Sequence, residues 1–69
     1  MNSCRTLLLY GTPASREMAK LLLENQPQVR RVDAAADLSE LKLLLTSALT
    51  ESELIPLLAG SGISGFRLC

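Results

Sequence analysis

Few side chains in this chain are equipped for covalent or metal chemistry. Histidine is absent, and the two cysteines are Cys4 and Cys69. They form no CxxC pair and no Cys/His zinc spacing, so two reduced thiols are the simplest expectation. The stretch "LLLYGTPASREMAKLLLEN", Leu7 to Asn25, reads as strand, tight turn and helix, yet holds no Cys, His or carboxylate before Glu17. Ser15 could hydrogen-bond a free N–H of the first helical turn or a ligand oxygen, although a polar residue in an exposed first turn is the simpler reading. Met18 could offer a thioether to Cu(I), but one thioether without a second ligand is a weak site, and core packing is the expectation. Gly11 ahead of a helix resembles a phosphate-binding loop, and Arg16-Glu17-Met18 in place of Gly-Lys-Ser/Thr removes that reading. The N–H groups of residues 13 to 16, with Arg16, could still receive a carboxylate or phosphate; a solvated arginine is the default.

Composition narrows the function classes. A chain of 69 residues is one domain, and a domain of this size buries only roughly 60% of its unfolded surface, which leaves no room for a large internal cavity. Seven basic and seven acidic residues cancel and are scattered, so neither nucleic acid nor an anionic membrane is an expected partner. The apolar run at Leu7 to Tyr10 is too short for a membrane span or a signal-peptide core, and a cytoplasmic location follows as the default expectation.

The elements that must carry these residues can be placed in order. Thr6 to Tyr10 is an almost continuous apolar run, as expected of a central strand buried on both faces. Thr12 caps a helix that begins at Pro13, with Met18, Leu21, Leu22 and Asn25 on one face, and Pro27 ends it near Asn25. Val29 to Val32 is a second strand. The segment "DLSELKLLL", Asp37 to Leu45, fits two patterns. Leu41, Leu43 and Leu45 alternate as in a strand, whereas Leu38, Leu41, Leu44, Leu45 and Ala48 make a helical stripe behind an Asp37/Glu40 capping pair. Leucine, glutamate and lysine without β-branched residues favour the helix. Under the strand reading, Thr50 would cap a helix with Pro56 at its sixth position, at a cost of ~3 kcal/mol. Under the helix reading, Pro56 begins a strand, "PLLA", and "GSG" turns into a last strand, "ISGF". The expected order is therefore βαβαββ, an α/β domain spanning residues 1–69 with two parallel strands, a hairpin, and helices on both faces of a mixed four-stranded sheet.

With Tyr10, Pro13 and Lys20 around the first turn, Val32-Asp33, Ile55-Pro56 and "SGFR" at Ser64 to Arg67, the chain resembles the glutaredoxins, and in its last strand the NrdH-type redoxins. The resemblance implies a thioredoxin-like fold without the third helix, a redox-homeostasis and electron-transfer family, and a cis peptide at Ile55-Pro56. It puts Ser15 and Met18 where the family's two catalytic cysteines stand, so the active site is degenerate and the family's thiol–disulfide oxidoreductase activity loses its dithiol; a hydroxyl cannot replace sulfur as nucleophile and leaving group. Thr12, Pro13, Ser15, Ile55, Pro56 and Gly65 would form the ligand groove, although Thr12 replaces a lysine that commonly helps bind glutathione. No cofactor is required, and glutathione is the ligand that the resemblance allows.

Three functions follow. The favoured one is a binding or regulatory module that docks a peptide or thiol ligand at the redoxin groove, with a protein partner or a second copy covering exposed leucines. The second is an oxidoreductase using Cys69 as a monothiol beside Ser15. The third is a βαββαβ ferredoxin-like domain similar to the heavy-metal-associated copper chaperones, whose metal loop follows the first strand; their GMxCxxC signature is absent, leaving an interaction domain without metal ligands. The two folds differ in one checkable respect. The ferredoxin-like order brings Cys4 near Cys69, and the glutaredoxin-like order separates them.

Overall fold

The computed structural model describes residues 3–69. Its elements run β1 (Ser3–Tyr10), α1 (Pro13–Glu24), β2 (Val29–Ala34), β3 (Glu40–Leu45), α2 (Glu51–Ala59) and β4 (Gly65–Leu68). The four strands make one sheet in the order β2-β3-β1-β4, with every neighbouring pair antiparallel. This is the βαββαβ ferredoxin-like arrangement, the α/β alternative weighed above. The βαβαββ order with two parallel strands and helices on both faces is not formed.

The correction turns on "DLSELKLLL". Asp37 does not open a helix: its Oδ1 accepts from the Ser39 N–H at 3.1 Å and the Ser39 hydroxyl at 2.6 Å, closing a side-chain turn. Leu38 in that turn takes φ 62°, a left-handed conformation that a helix start forbids. Beyond it Leu41, Leu43 and Leu45 are all buried on one face. At about 1.5 to 3 kcal/mol for each buried leucine, the alternation outweighs helix propensities that differ by well under 1 kcal/mol per residue. Leu44, half-buried on the other face, is what obscured the alternation in the sequence.

β1 and β3 are the inner strands, and Leu7 stands opposite Leu41 between them. The core gathers Leu7, Leu9, Leu41, Leu43 and Leu45 from the sheet, Ala19 and Leu23 from α1, Leu54 and Leu58 from α2, and Leu49 before it. Both helices cover the same face, so β1 is buried on one side only. Cys4, Thr6, Leu8, Lys42, Leu44 and Arg67 alternate with those core positions and lie on the opposite, helix-free face.

α1 follows the sequence reading at its ends. The Thr12 hydroxyl accepts from the Ser15 N–H, Pro13 occupies the first position, and Asn25 closes the helix. Its buried face, however, is Ser15, Ala19 and Leu23, and Met18 is 45% exposed on the flank. β2 also departs from regularity: its register shifts between Val29 and Arg31, making Arg30 an extra residue in a bulge.

α2 contains Pro56, which the favoured reading had placed at the start of a strand. As the sixth residue it removes one hydrogen bond to the carbonyl of Ser52, a residue exposed to water that can solvate that oxygen. Leu54 and Leu58, buried on the other side of the helix, hold it to the sheet despite that loss. Every peptide bond among the described residues is trans, so the cis bond implied by the redoxin resemblance is absent. Pro56→Ala is expected to raise the unfolding free energy by about 1 to 3 kcal/mol, read from urea denaturation with an unchanged m-value.

Candidate functional site

The β1–α1 turn is the first place to look, because Gly11 and Thr12 join strand to helix beside the β2–β3 and α2–β4 connections. It is closed. Gly11 has φ 149°, and a Cβ there would lie 2.7 Å from Ser15 Oγ, 3.2 Å from Ile63 Cα and 3.3 Å from Ser64 N. The α2–β4 connection therefore sits directly on the turn. Ser64 fixes it there: its N–H and hydroxyl both donate to the Tyr10 carbonyl, at 2.8 and 3.0 Å. Gly62 approaches Ser15 from above, at φ 84°, with its Cβ direction 3.8 Å from Ser15 Cβ.

Ser15 is accordingly only 7% exposed, not a solvated first-turn residue. Its hydroxyl donates to the Thr12 carbonyl at 2.8 Å and accepts from the Thr12 hydroxyl at 3.1 Å. The N–H groups of residues 13 to 16, which could have received an anion, are partly committed. Pro13 has no N–H, Ser15 N–H goes to Thr12 Oγ1 at 3.2 Å, and Arg16 N–H goes to Thr12 O at 3.0 Å. The Arg16 side chain runs inward, with Nε buried and its charge felt by Asp37 on the neighbouring hairpin. These bonds hold the turn to itself.

The other residues singled out in the sequence scatter. Ile55 and Gly65 do meet, on an apolar groove between α2 and β4 that Leu58, Ala59, Ile63 and Phe66 complete. Pro56 is exposed on α2 and lines no part of that groove. Cys69 is not beside Ser15. Its N–H donates to the Thr6 carbonyl at 2.8 Å, towards the end of β1 away from the turn, and this overturns a monothiol working at the redoxin position. Cys4, near the start of β1, shares that end of the sheet, as the ferredoxin-like order requires. Both thiols are exposed, and among the described residues no three Cys, Asp or Glu side chains converge.

Leu58, Ala59, Ile63 and Phe66 are not legible as groove residues in the sequence, because Pro56 favours a strand where α2 forms. Ile55 was the available signal: it is 61% exposed, on the α2 flank that faces β4. On the β2–β3 connection, the Asp37 carboxyl is held below its ordinary value of 3.8, first by the Ser39 hydroxyl, then by the Ser39 N–H, with desolvation opposing and Arg16 assisting. The lowered value means this turn contributes stability above the usual carboxylate range and loses it as the pH falls through the folded-state value.

Among solved structures, the chain is similar to the N-terminal domain of ZntA, determined in solution in the apo-form. The TM-score is 0.76 at 13% identity, with 100% of this chain and 94% of that one covered. This similarity establishes the fold as ferredoxin-like and overturns the resemblance to glutaredoxins, together with the redox-homeostasis and electron-transfer family it implied. No family model matches the chain, and no curated protein matches it.

Two outcomes test this geometry. Gly11→Ala should destabilise the domain by about 1 to 3 kcal/mol in chemical denaturation, because a Cβ is refused both by φ and by Ser15 and Ile63. Ser39→Ala should move the Asp37 carboxyl up towards 3.8 in a carbon-detected NMR titration, and should shift the acid-unfolding edge to higher pH.

Proposed function

We propose that this domain is a protein-interaction module that accepts an extended segment of a partner along β4, with alternate apolar side chains seated in the groove beneath α2. The observation that carries the reading is Ile55, a large apolar residue 61% exposed above Leu58, Ala59, Ile63 and Phe66. β4 is an edge strand. Its register with β1, with Arg67 opposite Leu8 and Cys69 N–H bonded to Thr6 O, turns the N–H and C=O groups of Phe66 and Leu68 outward. A partner strand can pair with those groups while its side chains enter the adjacent groove.

The two edges are treated differently. β2 carries Arg31 and Asp33, ion-paired at 3.1 Å, and the bulge at Arg30, the devices that discourage strand addition. β4 has one charge, Arg67, and it points to the helix-free face. The closed β1–α1 turn without cysteine supports the view that metal capture at that loop is not this domain's task. Thiol–disulfide exchange at Ser15 and Met18 is set aside with the redoxin reading, and so is a redoxin groove for glutathione.

Selection of a random peptide library on the domain tests the proposal. Enriched peptides should alternate apolar and polar residues and shift the backbone amides of Phe66 and Leu68 in NMR spectra. Ile55→Glu should weaken them at least tenfold while leaving the thermal midpoint unchanged, since Ile55 is mostly solvated. An empty selection, or peptides that bind Ile55→Glu equally well, would overturn the reading.

A further inference from the structure

The two cysteines, which the groove does not use, share one face of the sheet. β1 alternates, with Leu7 and Leu9 in the core, so Cys4 and Thr6 stand on the helix-free face. Leu68 is opposite Leu7 and packs against the core, which puts Cys69, the next residue, beside Thr6 on that same helix-free face. Cys4 and Cys69 are therefore diagonal neighbours across the β1–β4 ladder. Cys69 is held in place at both backbone groups: its N–H donates to Thr6 O at 2.8 Å and its carbonyl accepts from Arg5 Nε at 2.8 Å.

Diagonal spacing decides between two uses of such a pair. Residues so placed lie ~7 to 8 Å apart, with the Cβ atoms somewhat closer. A disulfide asks for Cβ atoms ~3.5 to 4.5 Å apart, which the ladder does not offer without distortion. An ion held by two sulfurs at ~2.3 Å each separates those sulfurs by up to ~4.6 Å, and the two Cβ–S arms span the remainder. We infer that Cys4 and Cys69 form a two-thiolate site for a soft monovalent cation of the Cu(I) class, at the end of the sheet remote from the β1–α1 turn. Binding replaces two S–H bonds with two metal–sulfur bonds and releases two protons to solvent, with no change of oxidation state. The product carries one net negative charge. Arg5 and Lys42 line the depression that holds Cys4, with Asp33 opposite Lys42, so the two cations outnumber the one carboxylate and offset it. Thiolate softness selects Cu(I) over hard cations such as Mg(II) or Ca(II).

The test is anaerobic titration of the reduced chain with Cu(I) against a chromophoric chelator. One ion per chain is expected, with the gel-filtration elution unchanged from the metal-free chain, both thiols protected from alkylation, and amide shifts confined to residues 3–7, 42–45 and 66–69. Cys4→Ser and Cys69→Ser should each lower the affinity at least 100-fold, and both are exposed positions whose unchanged circular dichroism verifies folding. Half an ion per chain with dimerisation, single variants that bind like the parent, or no competition with the chelator would overturn the site. The interaction groove is unaffected by any of these results, because it lies on the other side of β4.

Discussion

The pairing of β1 with β3, Leu7 opposite Leu41, is the constraint from which the rest of the architecture follows. Once the third apolar segment joins the first as an antiparallel inner strand, β2 and β4 become the edges, and both helices must cover the one face where the leucines converge. The order of the edges then decides which chemistry-bearing residues meet. Gly65 lands beside Tyr10 at one end of the sheet and Cys69 beside Thr6 towards the other, so no single site collects serine, thiol and apolar lip.

Local signals in the sequence were reliable where one residue acts on its own neighbours. Thr12 as cap, Pro13 at the first helical position and Asn25 at the stop were all legible, because each works through groups within a turn of itself. The segment Asp37 to Leu45 was not, because its two patterns share Leu41 and Leu45, and the choice between them is made by partners on β1 and β2 that are remote in sequence. Pro56 then compounded the error. Its cost to a helix is real, but Leu54 and Leu58 bury enough apolar surface to hold α2 with one hydrogen bond missing. Met18 shows the same limit on a smaller scale: the stripe chosen on α1 was rotated from the one that faces the sheet, since Ala19 and Ser15 are small enough to let the helix sit close.

Candidate site residues fared according to the element that carries them. The turn was placed correctly in the chain, yet its role could not be read there, because what closes it is Ile63 and Ser64, the latter 54 residues beyond the Tyr10 carbonyl it bonds. Ile55 and Gly65 were named for a redoxin groove and do lie on a common groove, though of a different make, bounded by α2 and a free strand edge. Ser15 was taken as the remnant of a reactive centre. It is instead a buried part of the turn, bonded to Thr12 and packed against Gly11 and Gly62, while Ser64 fastens the α2–β4 connection to Tyr10.

The bulge at Arg30 bears on assembly. It leaves the domain with one edge open to a new strand and one edge that refuses it. Were two copies to join through β4, the combined sheet would present only refusing edges, and growth would stop at the pair. In such a pair, an irregularity of one residue would cap the outer edge against a further strand.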